Sequence, residues 1–136
     1  MLKDWKGVDA IRILAQYKDK VLCYNDDIQG TGAVAVAGIY GALNIIHQKM
    51  TDQRVLFLGA GSAGIGIANM ITSAMMLEGD TEEQAISKIN LFDVNGLLEN
   101  SRTDLSEVQK RFAKDHTPTK NFVEAINQLK PTIIIG

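Results

Sequence analysis

The stretch RVLFLGAGSAG, residues 54–64, decides the fold of this chain. Its first half, RVLFL, carries four consecutive apolar residues, which is typical of a strand buried on both faces of a sheet. The second half places Gly59, Gly61 and Gly64 in the G-x-G-x-x-G spacing. Directly after a buried strand and before a helix, this spacing is typical of a loop that binds a dinucleotide. We therefore predict a strand over residues 54–58 and a phosphate-binding turn after it.

Each glycine of this loop has its own task in the predicted site. Gly59 permits the tight turn, and Gly61 lets the backbone approach a pyrophosphate. Gly64, or Gly66 beyond it, allows the following helix to pack closely on the strand. That helix offers free N–H groups and the positive end of its dipole to the phosphates. A glycine turn that merely packs is the simpler alternative, and it explains less of the pattern.

A second predicted strand, INLFD, ends in Asp93. At that position a carboxylate would accept hydrogen bonds from the adenosine ribose. Asp93 lies 29 residues after Gly64, whereas the usual separation is about 20 residues. A short extra helix, opened by a capping box between Thr81 and Gln84, accounts for the excess. The alternative is an aspartate that only caps a turn.

Strands and helices alternate along the rest of the chain. The predicted strands cover residues 21–25, 54–58, 89–93 and 132–136. The predicted helices cover residues 8–18, 28–47, 63–77 and 121–130, besides the short helix near Thr81. Such alternation favours a parallel sheet with right-handed crossovers. We predict an α/β fold with an incomplete, Rossmann-like, doubly wound parallel sheet.

Composition excludes several classes of function. The chain has 136 residues, of which 46% are apolar and 22% charged, as in an ordinary soluble domain. A formal net charge of −2 provides no basic surface for nucleic acid or an anionic membrane. The single cysteine, Cys23, cannot form an internal disulfide, which favours a reducing, cytoplasmic location. The first residues lack an apolar stretch of signal-peptide length.

Two uncharged stretches, residues 28–48 and 55–77, are each long enough to cross a bilayer. Both are rich in glycine and alanine, and both carry polar residues such as Gln29 and Asn69. Small residues of this kind also suit tightly packed helices inside a soluble domain. We therefore predict that both stretches are buried in a soluble core and that the chain has no membrane partner.

Two adjacent acids, Asp26 and Asp27, precede the first of these stretches. Asp26 with Gln29 fits a capping box, and Asp27 would be favoured by the positive end of the helix dipole. The alternative is a metal site shared with Asp4. A helix over residues 8–18 rises about 16 Å, and the strand after it returns about as far, so that Asp27 could lie beside Asp4. Two carboxylates there would suit Mg²⁺ or Mn²⁺.

The motifs YNDDIQGT, residues 24–31, and FLGAGSAGIGIA, residues 57–68, closely resemble the malic enzyme family. DAIRILAQYKDK before the acids and LFDVNGLL after the glycine helix resemble the same family in the same order, so that the likeness covers essentially the whole chain. The resemblance implies an oxidoreductase that uses NAD(P) and Mg²⁺ or Mn²⁺. Such an enzyme oxidises (S)-malate and decarboxylates the intermediate to pyruvate.

The resemblance also implies roles for individual residues. The family's three metal ligands fall on Lys3, Asp4 and Asp27, and Lys3 stands where the family has a glutamate, so the metal site is at best incomplete. Asp26 is expected near the catalytic lysine, which it helps to hold. The dinucleotide contacts fall on Gly59, Ala60, Gly61, Ser62, Ala63 and Gly64, with Asp93 at the ribose.

In the family, a lysine general base and a tyrosine general acid come from an N-terminal domain that this chain does not match. We therefore expect a fragment truncated at both ends, with residues 1–27 as the edge of the catalytic domain and residues 28–136 as part of the NAD(P)-binding domain. The isolated chain is expected to be inactive. In the usual strand order, residues 54–58 would lie beside a strand that is lacking. Since an open apolar edge promotes association, we expect a homo-oligomer or a non-native strand that fills the gap.

Two other functions fit the sequence. A malolactic enzyme, which converts malate to lactate, resembles the malic enzymes through this region. A non-catalytic nucleotide-binding or assembly module would be consistent with Lys3 at a ligand position. The predicted cofactor is NAD, because Asp93 would repel a 2′-phosphate. Lys110 and Arg111 could reach such a phosphate, so NADP stays possible.

Overall fold

The computed structural model describes the backbone of residues 7–136 and the side chains of residues 9–136 except that of Asp27. The helices are α1 (Gly7–Tyr17), α2 (Thr31–Ile46), α3 (Ser62–Leu77), α4 (Glu82–Ser87), α5 (Glu107–Lys110) and α6 (Phe122–Leu129). A wide helical turn, the π-turn Asp26–Gly30, leads into α2, and a 3₁₀ turn, Met50–Asp52, follows it. The strands are β1 (Val55–Leu58), β2 (Ile89–Asp93), β3 (Gly96–Leu97) and β4 (Ile133–Ile135).

The described strands form one open sheet in the order β3-β2-β1-β4. β1 pairs in parallel with β2, with Val55 opposite Ile89, and in parallel with β4, with Val55 opposite Ile133. β3 is a two-residue antiparallel addition to β2, which the sequence did not predict. The predicted parallel α/β sheet is confirmed.

Alternate residues of β1 face opposite layers of helices. Val55 and Phe57 belong to the larger core, which α2, α3 and α4 cover. Leu56 lies in a smaller core on the other face, under α6. There Phe92 and Phe122 make an edge-to-face contact, with ring centroids 5.3 Å apart and an interplanar angle of 77°. Helices on both faces make the sheet doubly wound.

The expectation of an open edge on β1 is wrong, because β4 fills that place. After β2 the chain crosses the opposite face through α6 and returns on the far side of β1. This reversal is the topological switch point at which α/β sheets bind ligands, outside the carboxyl ends of the strands. The open edge therefore belongs to β4, where the side chain of Ile134 is half exposed.

The predicted strand over residues 21–25 is also wrong. Residues 22–24 have no regular secondary structure. Leu22 is fully exposed and Val21 more than half exposed, so their apolar side chains gain nothing from an extended conformation here. A strand needs neighbours for its backbone groups and one face of its side chains, whereas residues 21–25 form a single β-bridge, at Asn25.

The long apolar helix forms as predicted but is not buried. Of its residues, only Gly32 and Leu43 are buried, while Val34 is 75% and Ile45 is 80% exposed. By length and composition alone, Ile28–Ile46 could cross a membrane, and 11% of that apolar window is buried. One such helix is weak grounds for a membrane protein. Within the described chain, α3 covers one side of α2 and the other side is open.

The remaining predicted elements are confirmed. The helices at residues 63–77 and 121–130 and the strand at residues 89–93 begin and end within two residues of the predicted bounds. The capping box at the start of α4 is present, since Thr81 N–H donates to Gln84 Oε1 at 2.8 Å and Gln84 N–H donates to Thr81 Oγ1 at 3.2 Å. This short helix lengthens the connection from β1 to β2.

Candidate dinucleotide site

The glycine loop leaves β1 at the carboxyl edge of the sheet. Gly59 has a φ of +135°, which a residue with a side chain rarely adopts. Its N–H donates to the carbonyl of Phe92 at 2.8 Å, so that the turn is held against the end of β2. Glycine at this position lets the chain turn sharply from β1 into α3.

Gly64 and Gly66 allow close approaches on two sides of α3. A Cβ on Gly64 would lie 2.6 Å from the carbonyl oxygen of Gly59, so the first turn of the helix sits directly on the loop. A Cβ on Gly66 would lie 2.8 Å from the carbonyl oxygen of Ile28, so the next turn sits on the π-turn. Gly64 therefore shapes the loop, and Gly66 brings the acidic segment next to the loop.

Gly61 directly precedes α3 and leaves the space in front of the helix open. A Cβ on Gly61 would meet no heavy atom within 4 Å. No side chain caps this end of the helix, which starts at Ser62. A helix terminus with free N–H groups and open space in front of it suits a phosphate. The geometry therefore fits the diphosphate of a nucleotide.

A cleft of about 940 Å³ opens in front of this loop. It is lined by residues from the loop, the start of α3, α1 and the α5 region: Ile11, Arg12, Ala60, Gly61, Ser62, Ile65, Ser106, Glu107, Val108 and Gln109. The side chain of Gln109 spans two of these walls, because its Nε2 donates to the Ala60 carbonyl at 3.1 Å and its Oε1 accepts from Ser106 N–H at 3.0 Å. Sequence reasoning did not identify the α1 and α5 walls.

Asp93 lies at the end of β2, beside the loop. Its carboxylate is held by Arg102 through two hydrogen bonds of 2.9 Å, and its Oδ1 also accepts from Asn95 N–H at 2.8 Å. Arg102 in turn bonds Asp104, with Nη2 2.6 Å from Oδ2. The hydrogen bond from Arg102 holds the pKa of Asp104 well below its usual range. Asp93 thus caps the turn after β2 and stays oriented by a fixed guanidinium.

The acidic segment begins the π-turn, but the predicted capping box is shifted by one residue. Asn25, not Asp26, is the N-cap: its Oδ1 accepts from Ile28 N–H at 3.1 Å, and its own N–H donates to Gln29 Oε1 at 2.9 Å. Asn25 is better suited than Asp26 to be the N-cap here. Its side-chain amide can accept the hydrogen bond and carries no charge, and the residue is fully buried. The side chain of Asp26 is left half-buried, without a capping role.

The π-turn lies beside the start of α3. Ile28 lines a smaller cleft, of about 230 Å³, together with Ser62, Ile65 and residues of α1. The residue directly after Asp27 therefore borders the region of the glycine loop. Lys3 and Asp4 lie outside the described residues, as does the side chain of Asp27. Among the residues that the structure describes, no three His, Cys, Asp or Glu side chains cluster as metal ligands. The metal site stays a prediction.

The two cations expected to reach a 2′-phosphate are engaged elsewhere. Lys110 Nζ lies 2.6 Å from Glu107 Oε1, one turn back on its own helix. Arg111 Nη2 lies 2.5 Å from Glu82 Oε1, and its Nη1 lies 2.6 Å from Asn69 Oδ1. The two Arg111 contacts tie the end of α5 to α4 and α3.

Comparison with known proteins gives a consistent picture. Residues 28–136 match the family model "Malic enzyme, NAD binding domain". The NADP-dependent malic enzymes of Columba livia and Homo sapiens are 42% and 43% identical over 134 residues, which is 98% of this chain and 24% and 23% of theirs. The crystal structure of Entamoeba histolytica malic enzyme matches 93% of this chain and 26% of its own, with a TM-score of 0.70 and 24% identity. The chain thus spans about a quarter of the length of these relatives.

Proposed function

This chain belongs to the malic enzyme family, and we propose that it is the NAD(P)- and divalent-metal-binding part of an enzyme that oxidatively decarboxylates (S)-malate to pyruvate and CO₂. The observation that carries the proposal is the glycine loop at the switch point between β1 and β4. There, Gly61 leaves open space in front of the uncapped end of α3. An NAD(P) diphosphate is the ligand that this arrangement suits best.

Each part of the loop region has a task in this proposal. The N–H groups at the start of α3 would bind the diphosphate, and Gln109 would keep the Ala60 carbonyl turned away from it. Asp93, oriented by Arg102, would accept hydrogen bonds from the ribose hydroxyls. When bound, the dinucleotide supplies the hydride acceptor, whose position the loop fixes. The chain's own contribution is therefore binding and orientation.

The metal ligands proposed for this chain are Asp4 and Asp27. Carboxylate oxygens suit Mg²⁺ or Mn²⁺. Lys3 places a cation where the resemblance implies a third carboxylate, and a cation there would oppose metal binding. The donor set is thus incomplete, and no chemical step is assigned to it. Asp26 is proposed to support the general base, which the resemblance assigns to another domain.

NAD is the proposed cofactor, with NADP as the alternative. The curated relatives are named as NADP-dependent. In this chain, Asp93 and Asp104 put two carboxylates around one guanidinium, and this excess of negative charge would repel a 2′-phosphate. Lys110 and Arg111, at the end of α5, are paired with Glu107 and Glu82. These contacts favour the ribose of NAD.

Titration with NAD and NADP tests the proposal directly. We expect the wild-type chain to bind NAD, and more tightly than NADP. Asp93→Ala is expected to weaken NAD binding about tenfold, which corresponds to about 1.4 kcal/mol for lost ribose hydrogen bonds. Asp104→Ala is the matched control, because it removes the other carboxylate on Arg102 and leaves the ribose acceptor in place. Isothermal titration calorimetry gives the affinities.

Two results would contradict the proposed site. Absence of NAD and NADP binding would reject the site, and equal loss in both variants would reject the role of Asp93. The same samples, given malate, NAD and Mn²⁺, are expected to show no turnover, since the family's lysine and tyrosine lie outside the motifs that this chain matches. Formation of NADH would overturn the expected inactivity, and lactate as the product of the full-length protein would instead select the malolactic alternative.

Self-association is proposed from the exposed apolar face of α2. Val34 and Ile45 lie three helical turns apart on that face and are among its most exposed side chains. Exposed patches of this kind mark interaction surfaces. We expect sedimentation velocity to give a mass above the 14.9 kDa of one chain. The double variant Val34→Lys, Ile45→Glu is expected to sediment as a monomer.

The control for this experiment is Val94→Lys. Val94 is 97% exposed, in the turn between β2 and β3, away from α2. The substitution Val94→Lys removes an exposed apolar side chain without changing the proposed interface, so association should persist. A monomeric wild-type chain, or the same loss of association in both variants, would reject the α2 interface.

A cytoplasmic location is proposed from the single cysteine.

A further inference from the structure

We propose that Arg12, on α1, is a further binding residue of the dinucleotide site and supplies a full positive charge to the diphosphate. This inference rests on the proposed function. Arg12 lines the same cleft as Gly61 and Ser62. Its neighbour Ile11 lines the cleft too, so this stretch of α1 faces the loop.

The guanidinium of Arg12 is available for a ligand. Its side chain is 66% exposed, and Asp9, its ion-pair partner among the described residues, lies 3.7 Å away. That distance exceeds a hydrogen bond, and exposed pairs of this kind contribute at most about 1 kcal/mol. A phosphate oxygen could therefore displace the contact easily.

The other described arginines are held elsewhere. Arg102 is fixed between two aspartates, and Arg111 is bonded to Glu82 and Asn69. The side chain of Arg54 donates to the Lys130 carbonyl, at the opposite edge of the sheet. Arg12 is thus the described arginine that both faces the glycine loop and has no carboxylate within hydrogen-bond distance.

The charges around the cleft make such a cation useful. A nucleotide diphosphate brings two negative charges, while the start of α3 offers roughly half a positive charge. Glu107 also lines the cleft, and Lys110 neutralises it. Arginine binds phosphate oxygens through two parallel hydrogen bonds, which a lysine cannot reproduce. Arg12 would supply the missing charge from the α1 residues that line the cleft.

The test compares ligands with and without a diphosphate. Arg12→Ala is expected to weaken binding of NAD and of ADP about tenfold, while the affinity for adenosine stays unchanged because it carries no phosphate. Arg12→Lys should retain part of the affinity, since the charge remains and the paired hydrogen bonds do not. Lys49→Ala is the control for net charge, because Lys49 is an exposed lysine after α2. It should leave all three affinities unchanged.

The outcomes separate this inference from the proposed function. Wild-type chain that binds neither NAD nor ADP overturns both. Wild-type chain that binds NAD, with an Arg12→Ala variant of the same affinity, overturns only the role of Arg12. Loss of adenosine binding in parallel with NAD would show that the substitution disturbs α1 as a whole, and it would overturn the direct contact as well.

Discussion

Gly64→Ala is expected to destabilise the chain by about 1–3 kcal/mol and to abolish detectable NAD binding. The added methyl group would lie 2.6 Å from the carbonyl oxygen of Gly59. The nearest atoms that this methyl group would meet belong to the backbone of Gly59, so no flexible side chain can move to relieve the contact. Gly59 itself cannot shift freely, because its N–H is bonded to the Phe92 carbonyl and its φ is +135°. Relief must come from moving α3 away from the loop, which would take the proposed diphosphate donors with it.

Gly38→Ala is the matched control, since it makes the same change in another helix. A Cβ on Gly38 would meet no heavy atom within 4 Å. Alanine in a helix interior is favoured over glycine by about 0.5–1 kcal/mol, so this variant should be slightly more stable and bind NAD normally. Urea denaturation measures the free energy of unfolding of both variants, provided that its slope against urea concentration is the same as in the wild type. A Gly64→Ala chain that is as stable as wild type and binds NAD would show that the close approach is not required.

The sequence was informative wherever a local pattern carried the whole signal. The loop after β1 could be predicted because glycine spacing, a buried strand and a helix start all agree. The cap of α4 could be predicted because Thr81 and Gln84 need only each other. These features depend on neighbours within a few residues, which a sequence displays directly.

The errors arose where the answer depends on distant partners. An apolar stretch such as residues 28–46 is equally consistent with burial on all sides and with one covered face, because its apolar residues follow no period. Apolar residues at 21–22 suggest a strand, but they form one only beside another strand. The Arg102 clamp on Asp93 and the contact of Gln109 with Ala60 join segments that no motif connects.

The stability of the chain is expected to rise by about 2 kcal/mol between about pH 7.5 and pH 9.5, because of Lys114. Its ammonium donates to the Ile89 carbonyl, and lies 3.2 Å from both the Phe112 carbonyl and Asn90 Oδ1. Burial lowers the pKa of Lys114 to about 8. The unfolded chain keeps an ordinary lysine pKa of about 10.4. Between these values the unfolded state binds more protons, so raising the pH favours the folded state.

Lys114→Met should remove this pH dependence, because it removes the titrating group while keeping an unbranched side chain of similar length. Lys110→Met, which removes an exposed lysine paired with Glu107, should leave the pH dependence as in wild type. Two other groups with shifted pKa values keep one charge state in this range. Burial, and then the charge of Lys114, lowers the pKa of His116, so it stays neutral. Burial, and then a hydrogen bond to Glu78, raises the pKa of Tyr40, so it stays protonated.

Urea denaturation at both pH values gives the change in the free energy of unfolding with pH. A wild-type chain whose stability is flat or falls over this range would mean that the buried ammonium is fully compensated by its three oxygen partners.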